Sequence, residues 1–422
     1  MKTKLFVLGA FMLLQFTSMD AQSSIVSNAE ALGMSSERLE KITSKWETYI
    51  DNKQLSGAVI YVARKGTPVY FEAIGQSDIA KKRPMEKDAI FRIASQSKAI
   101  VSLGVMMLQE DGLLRINDPL GKYIEEFNET TVAEVQEDGS YIVVPAKRKM
   151  TIRDLLTHTS GLGYGYGPAA DQWKAADMQG WYFAHREEPI LETVKRMASL
   201  PMDRHPGSTF WYGYSTDVLG ALIEVVSGQT LDQFLRARVL DPLEMDDTQF
   251  YLEKDQVKRL ATVYKHDPEG IKRSPDEGTM ESQGAYVKGP RMSFSGGAGL
   301  TSTAQNYANF LQLFLDKGVF KGKRLVSRKT VELMTSVHIP NELYGWPGGT
   351  GFGLGFSVCF DVGLRGTLGS EGEFGWGGAY HSTYWVDPKE ELVVVYLTQL
   401  IPAGDIDDHS TLRNLIYQAI TD

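Results

Sequence analysis

The sequence predicts an α+β protein of two lobes: an antiparallel sheet assembled from both chain ends and flanked by helices, with a mainly helical lobe inserted. Three observations predict it. The N-terminal part reads as a helix followed by a β-hairpin, the C-terminal part as a β-hairpin followed by a helix, and the long middle carries helical periodicity. Strand-rich ends around a helix-rich centre place both hairpins in one sheet, because each has an apolar face that needs a shared core. A cleft between two such lobes is where a small-molecule site is expected.

The elements follow in chain order. Residues 1–21 stand apart, with Lys2 and Lys4 ahead of a short apolar run and the small residue Ala21 before Gln22. That is a signal-peptide layout, too short for a membrane span, and it predicts cleavage after Ala21 and export to the periplasm. The remainder, 22–422, reads as one two-lobed domain, because no repeat or long linker divides it. Its sheet lobe is expected over about 36–98 and 296–422, and its helical lobe over about 99–295. Ser36 opens a helix in which Leu39, Ile42, Trp46 and Ile50 recur at helical spacing, with Glu37 and Glu40 in the first turn. Residues 57–63 and 69–74 form a hairpin about Arg64-Lys-Gly-Thr67. Helical patterns then cover 100–109, 152–156, 191–197, 218–226, 231–240 and 307–317, and a separate hairpin turns at Asp138-Gly139. Strands at 384–386 and 392–397 turn about Asp387-Pro388, and a last helix runs from about 409 to 420.

Composition removes whole classes of function. With 53 acidic against 44 basic residues and a net charge of −9, the chain has no basic run to hold a polyanion, so nucleic acid is excluded as a partner. No later stretch is apolar enough for stable membrane insertion. The single cysteine, Cys359, lies in an apolar run and reads as core; alone it makes neither a disulfide nor a metal site. The histidines show no metal-ligand spacing, and no Gly-Lys-Ser/Thr loop offers a phosphate cradle, so no metal and no cofactor is expected.

Three clusters carry chemistry. The first is Phe91-Arg-Ile-Ala-Ser95-Gln-Ser-Lys98, at the opening of a buried helix. Residues three apart share a helix face, so Lys98 reaches the Ser95 oxygen. A serine hydroxyl is a weak nucleophile and needs such a base, and the helix N-terminus presents the Ser95 N–H to a developing oxyanion. The amine must lose its proton to serve, which burial and a helix N-terminus favour. The same residues also suit a serine that merely caps a helix. The second cluster runs from Pro206-Gly207 through Tyr212-Gly-Tyr214 into a helix; Tyr212 is placed to relay a proton, or to pack. The third is Trp376-Gly377-Gly378-Ala379-Tyr-His381, where glycines in an edge strand let a substrate approach and leave the Ala379 N–H for an oxyanion, or only shape a bulge.

The order Ser-x-x-Lys, then Tyr, then a Gly-Gly edge strand resembles the serine β-lactamase and penicillin-binding-protein superfamily. Within it, the Trp-Gly-Gly form resembles the branch of β-lactamase-fold esterases and acyltransferases. Thr151-Ile-Arg-Asp-Leu-Leu-Thr-His-Thr-Ser-Gly-Leu162 and Ser295-Gly-Gly-Ala-Gly-Leu-Thr-Ser-Thr303 extend the match along the chain. The resemblance implies a β-lactamase-like fold with Ser95 as acylated nucleophile, Lys98 and Tyr212 sharing the proton work, and Ala379 N–H joining Ser95 N–H in the oxyanion hole. Tyr214, Trp376, Gly377 and Gly378 are then substrate-side residues; His381, two residues past Ala379, either lines the site on the substrate side or is structural, and His158, within Thr-His-Thr-Ser-Gly, reads as structural. The implied partner is a small-molecule ester or acyl donor, with an alcohol acceptor where the acyl group is transferred.

Two departures bear on the substrate. β-Lactamases and D,D-peptidases usually place a Lys or His where this chain has Trp376, and an Asn where it has Tyr214. Both changes weaken the grip on anionic amides such as β-lactams and cell-wall peptides, and they favour bulky or alicyclic esters. The same fold also serves β-lactamases, D-amino-acid peptidases and silent sensors, which are the alternatives.

Overall fold

A computed structural model describes residues 29–278, 280–339, 343, 345 and 348–422. The expected leader and its cleavage point lie outside them. Helix α1 (Ser36–Asp51) starts where the Ser35 side chain accepts the Arg38 N–H, and it buries Leu39, Ile42, Trp46 and Tyr49. Ile50, expected on that face, lies half-buried at its margin.

Eight strands form one sheet: β1 (Gly57–Arg64), β2 (Thr67–Asp78), β3 (Arg83–Pro84), β4 (Thr350–Phe352), β5 (Ser357–Cys359), β6 (Phe374–Gly378), β7 (Ser382–Asp387) and β8 (Leu392–Leu397). Their order is β4-β5-β6-β7-β8-β1-β2-β3, and every neighbouring pair is antiparallel. The two chain ends meet at the β1–β8 pairing, which runs from Val59 opposite Leu397 to Arg64 opposite Leu392. Side chains alternate across it. Val59, Tyr61, Ala63, Val393 and Val395 enter the main core shared with the helical lobe. Ala58, Ile60, Val62, Val394 and Tyr396 enter a second core under α1 and the C-terminal helix. With both faces covered, these strands read as unbroken apolar runs.

The inserted lobe is built on α2 (Ser97–Glu110), which is buried without a break from Ser97 to Leu108, and α3 (Ser215–Ser227), buried from Ser215 to Ile223. Helix α4 (Ala304–Leu315) returns the chain to the sheet, and α5 (Asp408–Tyr417) closes it beside α1. The Asp138-Gly139 hairpin pairs Thr131–Val135 with Tyr141–Pro145. The pattern at 231–240 resolves into a helix, Leu231–Leu235, and a wider turn, Arg236–Leu240. Among the described residues no helix is long and apolar enough to cross a membrane.

Candidate active site

The site forms where the start of α2 meets the end of β6. Phe91–Arg92 pairs with Thr301–Ser302, and the chain then turns through Ala94 at a φ of +43°. That left-handed conformation is strained for any residue with a side chain. The turn presents Ser95 in the short 3-10 segment Ala94–Gln96, immediately ahead of α2. Lys98 is buried, and its Nζ donates to Ser95 Oγ at 3.2 Å, Tyr164 Oη at 3.3 Å and the Gly297 carbonyl at 2.7 Å. Three ammonium protons thus meet three acceptors. A neutral amine at the same point directs its lone pair to the Ser95 hydroxyl and can take its proton.

Gly297 is itself anchored. Its N–H donates to Asp217 Oδ1 at 3.1 Å, and the Ser295 hydroxyl donates to the same oxygen at 2.6 Å. Asp217 comes from α3 and is wholly buried, and among the described residues its Oδ2 has no hydrogen-bond partner. Burial pushes its carboxyl pKa up, against the Ser295 hydrogen bond and the Lys98 charge. The glycines of Ser295-Gly-Gly have a spatial reason. A Cβ on Gly297 would lie 2.4 Å from Asp217 Oδ2, and one on Gly296 would lie 2.6 Å from the Thr216 carbonyl.

The aromatic wall is built from loop and strand together. The Lys98 Nζ lies 4.7 Å from the Tyr212 ring centroid, and Trp376 Nε1 donates to the Tyr212 hydroxyl at 3.0 Å. Tyr164 stands edge-on to Tyr212, with centroids 5.9 Å apart. Burial, and then Tyr212 and Asp217, push its hydroxyl well above the usual range, which keeps it protonated. His158 packs against Tyr212 with centroids 4.5 Å apart, and against Phe210 and Phe352. Burial first, and the Lys98 charge second, hold it neutral. It is a packing residue, as its setting in the sequence implied.

A cavity of about 750 Å³ connects these groups and is lined by Ser95, Tyr164, Tyr212, Trp376, Gly377, Gly378, Ala379 and His381. Gly378 sits so near the Ser95 turn that a Cβ on it would lie 2.6 Å from the Ile93 carbonyl. Ala379, the next residue, therefore begins directly beside the Ser95 turn. Cys359 is buried, and burial pushes its thiol up.

Tyr214 corrects an expectation. It is not a substrate contact: it is wholly buried, stacked on Trp173 with centroids 5.7 Å apart. Its hydroxyl donates to the carbonyls of Met178 at 2.7 Å and Tyr164 at 3.2 Å. Helix α3 begins one residue later, which turns this ring into the lobe, where two carbonyls satisfy it. It braces Tyr164 from behind.

Sequence reasoning missed Tyr164 and Asp217. A tyrosine between two glycines carries little signal, but an aspartate facing inward from the apolar helix 218–226 was readable as a buried charge in need of a partner. The fold also brings together two histidines that their separation in the chain concealed. His381, Asp408 and His409 place ligand-type atoms within 4.8 Å of one another.

The beta-lactamase family model matches residues 42–417. The chain belongs to the beta-lactamase family. Esterase EstB of Burkholderia gladioli is 33% identical over 379 residues, covering 86% of this chain and 91% of that protein. Lovastatin esterase of Penicillium rubens is 28% identical, covering 88% and 97%. Among solved structures, EstCE1, described as a hydrolase with promiscuous acyltransferase activity, superposes with a TM-score of 0.78 at 27% identity, covering 90% of this chain and 99% of that one. This beta-lactamase-family chain thus sits among the esterases and acyltransferases of the fold.

Proposed function

We propose that the protein is a serine esterase or acyltransferase that carries its acyl group on Ser95, acting as one two-lobed catalytic domain over 22–422. The observation that carries this reading is the Lys98 Nζ at 3.2 Å from Ser95 Oγ inside an aromatic-walled cleft. Neutral Lys98 takes the Ser95 proton as Oγ attacks the ester carbonyl. The N–H groups of Ser95 and Ala379 receive the carbonyl oxygen as its charge develops. The Tyr212 hydroxyl passes a proton to the departing alkoxide and is reprotonated from Lys98. Water or an alcohol then attacks the acyl-enzyme, its proton returning through the same groups.

Trp376, at the place where β-lactam- and peptide-cleaving relatives use a cation, supports neutral esters with a bulky apolar or alicyclic part over anionic amides. A panel of esters, β-lactams and D-Ala peptides, with and without added alcohols, tests the reading. Intact-protein mass spectrometry should show an acyl adduct on the wild type and none on Ser95→Ala. An adduct on Ser95→Ala, or β-lactam turnover matching the best ester, would overturn it. The basic, apolar and small-residue layout of residues 1–21 supports export with cleavage after Ala21. The N-terminus of protein recovered from a periplasmic fraction tests that.

A further inference from the structure

Beyond the Trp-Gly-Gly rim, the cleft continues past a fixed imidazole. His381 has a φ of +65°, a conformation that persists only where the surroundings enforce it. They do so at nearly every polar atom. Its N–H donates to the Gly378 carbonyl at 3.0 Å, and its own carbonyl takes the His409 ring N–H at 3.1 Å. Its Nε2 meets Asp408 Oδ1 at 2.7 Å. Asp408 is wholly buried, and it also accepts the Tyr396 hydroxyl at 2.5 Å and the His409 backbone N–H at 2.9 Å. The His409 ring stacks on His381 with centroids 4.3 Å apart. A carboxylate accepts, so Nε2 carries a proton, and in the neutral ring Nδ1 then presents a bare lone pair. Among the described residues Nδ1 has no partner, while the side chain lines the same cavity as Ser95. Ser382 lines that cavity too, and among the described residues its buried hydroxyl has no partner. A buried hydroxyl left without a partner is costly unless something else supplies one.

We propose that His381, oriented by Asp408, and Ser382 form a subsite that takes a free hydroxyl on the alcohol portion of the substrate. This rests on the Ser95 acyl-enzyme reading and names its substrate class: esters of polyhydric or hydroxylated alcohols. The lone pair at Nδ1 asks for an O–H donor and offers nothing to a carboxylate.

The test compares glyceryl monobutyrate with propyl butyrate, which share an acyl group and differ in hydroxyls on the alcohol. In His381→Asn, whose side chain tolerates left-handed backbone, the ratio of kcat/KM for the glyceryl to the propyl ester should fall about fivefold, the loss of one neutral hydrogen bond. An unmoved ratio overturns the subsite. A second measurement needs no variant. With vinyl butyrate as donor, wild-type protein should transfer butyryl to glycerol in preference to 1-propanol at equal hydroxyl concentration, and equal transfer overturns the subsite. Both esters are also run with Ser95→Ala. Activity persisting there overturns the acyl-enzyme reading and the subsite with it. Activity lost there, with an unmoved His381→Asn ratio, overturns the subsite alone.

Discussion

Replacing Asp217 with Asn isolates the buried charge behind Lys98. The carboxylate and the amine are joined through Gly297, whose N–H reaches Asp217 Oδ1 at 3.1 Å and whose carbonyl accepts Lys98 Nζ at 2.7 Å. Joined by that path the two charges lie at most about 9 Å apart, and at an effective dielectric of about 20 such a pair attracts by about 2 kcal/mol. The carboxylate favours the ammonium form of Lys98, the form that cannot accept the Ser95 proton. Burial keeps Tyr164 and Tyr214 protonated and His158 neutral, and among the described residues Asp217 is the buried carboxyl that faces Lys98. Asn preserves the shape: its oxygen still accepts from Gly297 and Ser295, and its Nδ2 replaces an oxygen that has no partner among the described residues. The acid limb of kcat/KM for a neutral ester should accordingly move to lower pH by about 1 to 2 units. Stopped assays across the pH range read this directly, with thermal unfolding to confirm that the variant is folded. An acid limb that stays in place would show that Asp217 does not govern protonation at Lys98.

Further outcomes follow from the same geometry. Tyr212→Phe should lower kcat about a hundredfold or more, the usual scale for a group that moves a proton in the transition state; an unchanged rate would leave the proton work to Lys98 alone. Gly297→Ala places a Cβ 2.4 Å from Asp217 Oδ2. It should cost about 1–3 kcal/mol of stability together with activity, and an unshifted Tm would show that the loop yields. Glu188, held by Arg196 and Thr193, has its carboxyl lowered from 4.5 to about 2. A lowered folded-state pKa gives stability that is present above the ordinary value and lost as pH falls through the lowered one. The Tm gap between wild type and Glu188→Gln should thus be full at neutral pH and close between about pH 4.5 and 2; a gap that persists at pH 2 would refute the pairing.

The parts of the fold that local pattern controls were legible. Leu39, Ile42 and Trp46 mark one face of a helix, and the apolar runs of β1 and β8 announce strands covered on both sides. Ser95, Lys98, Tyr212 and Ala379 stood out in the sequence because each sits at a boundary, a helix start or a glycine-rich strand end, and the fold brings them to one site. What escaped depends on where a side chain turns once neighbours arrive. Tyr214 is two residues from Tyr212, yet it points into the lobe because two carbonyls and Trp173 receive it. Tyr164 and Asp217 matter through contacts with residues far along the chain, Lys98 and Gly297, and no short-range pattern encodes those contacts.

On the proposed reading, Trp376 ties the preference for esters to the proton path through the Tyr212 hydroxyl. Its indole N–H fills an acceptor position on the Tyr212 hydroxyl at 3.0 Å. That contact fixes the direction of the phenol and leaves the phenolic proton free to be handed on. An indole donates and never accepts, so it cannot draw that proton away. A lysine in its place would supply the cation that anionic amides need, but on a flexible stem, and it would bring a second positive charge toward Lys98. On that reading, the side chain that offers no cation to a substrate carboxylate is also the one that orients the tyrosine. A change of substrate class therefore requires Tyr212 to be held by a different donor at the same time.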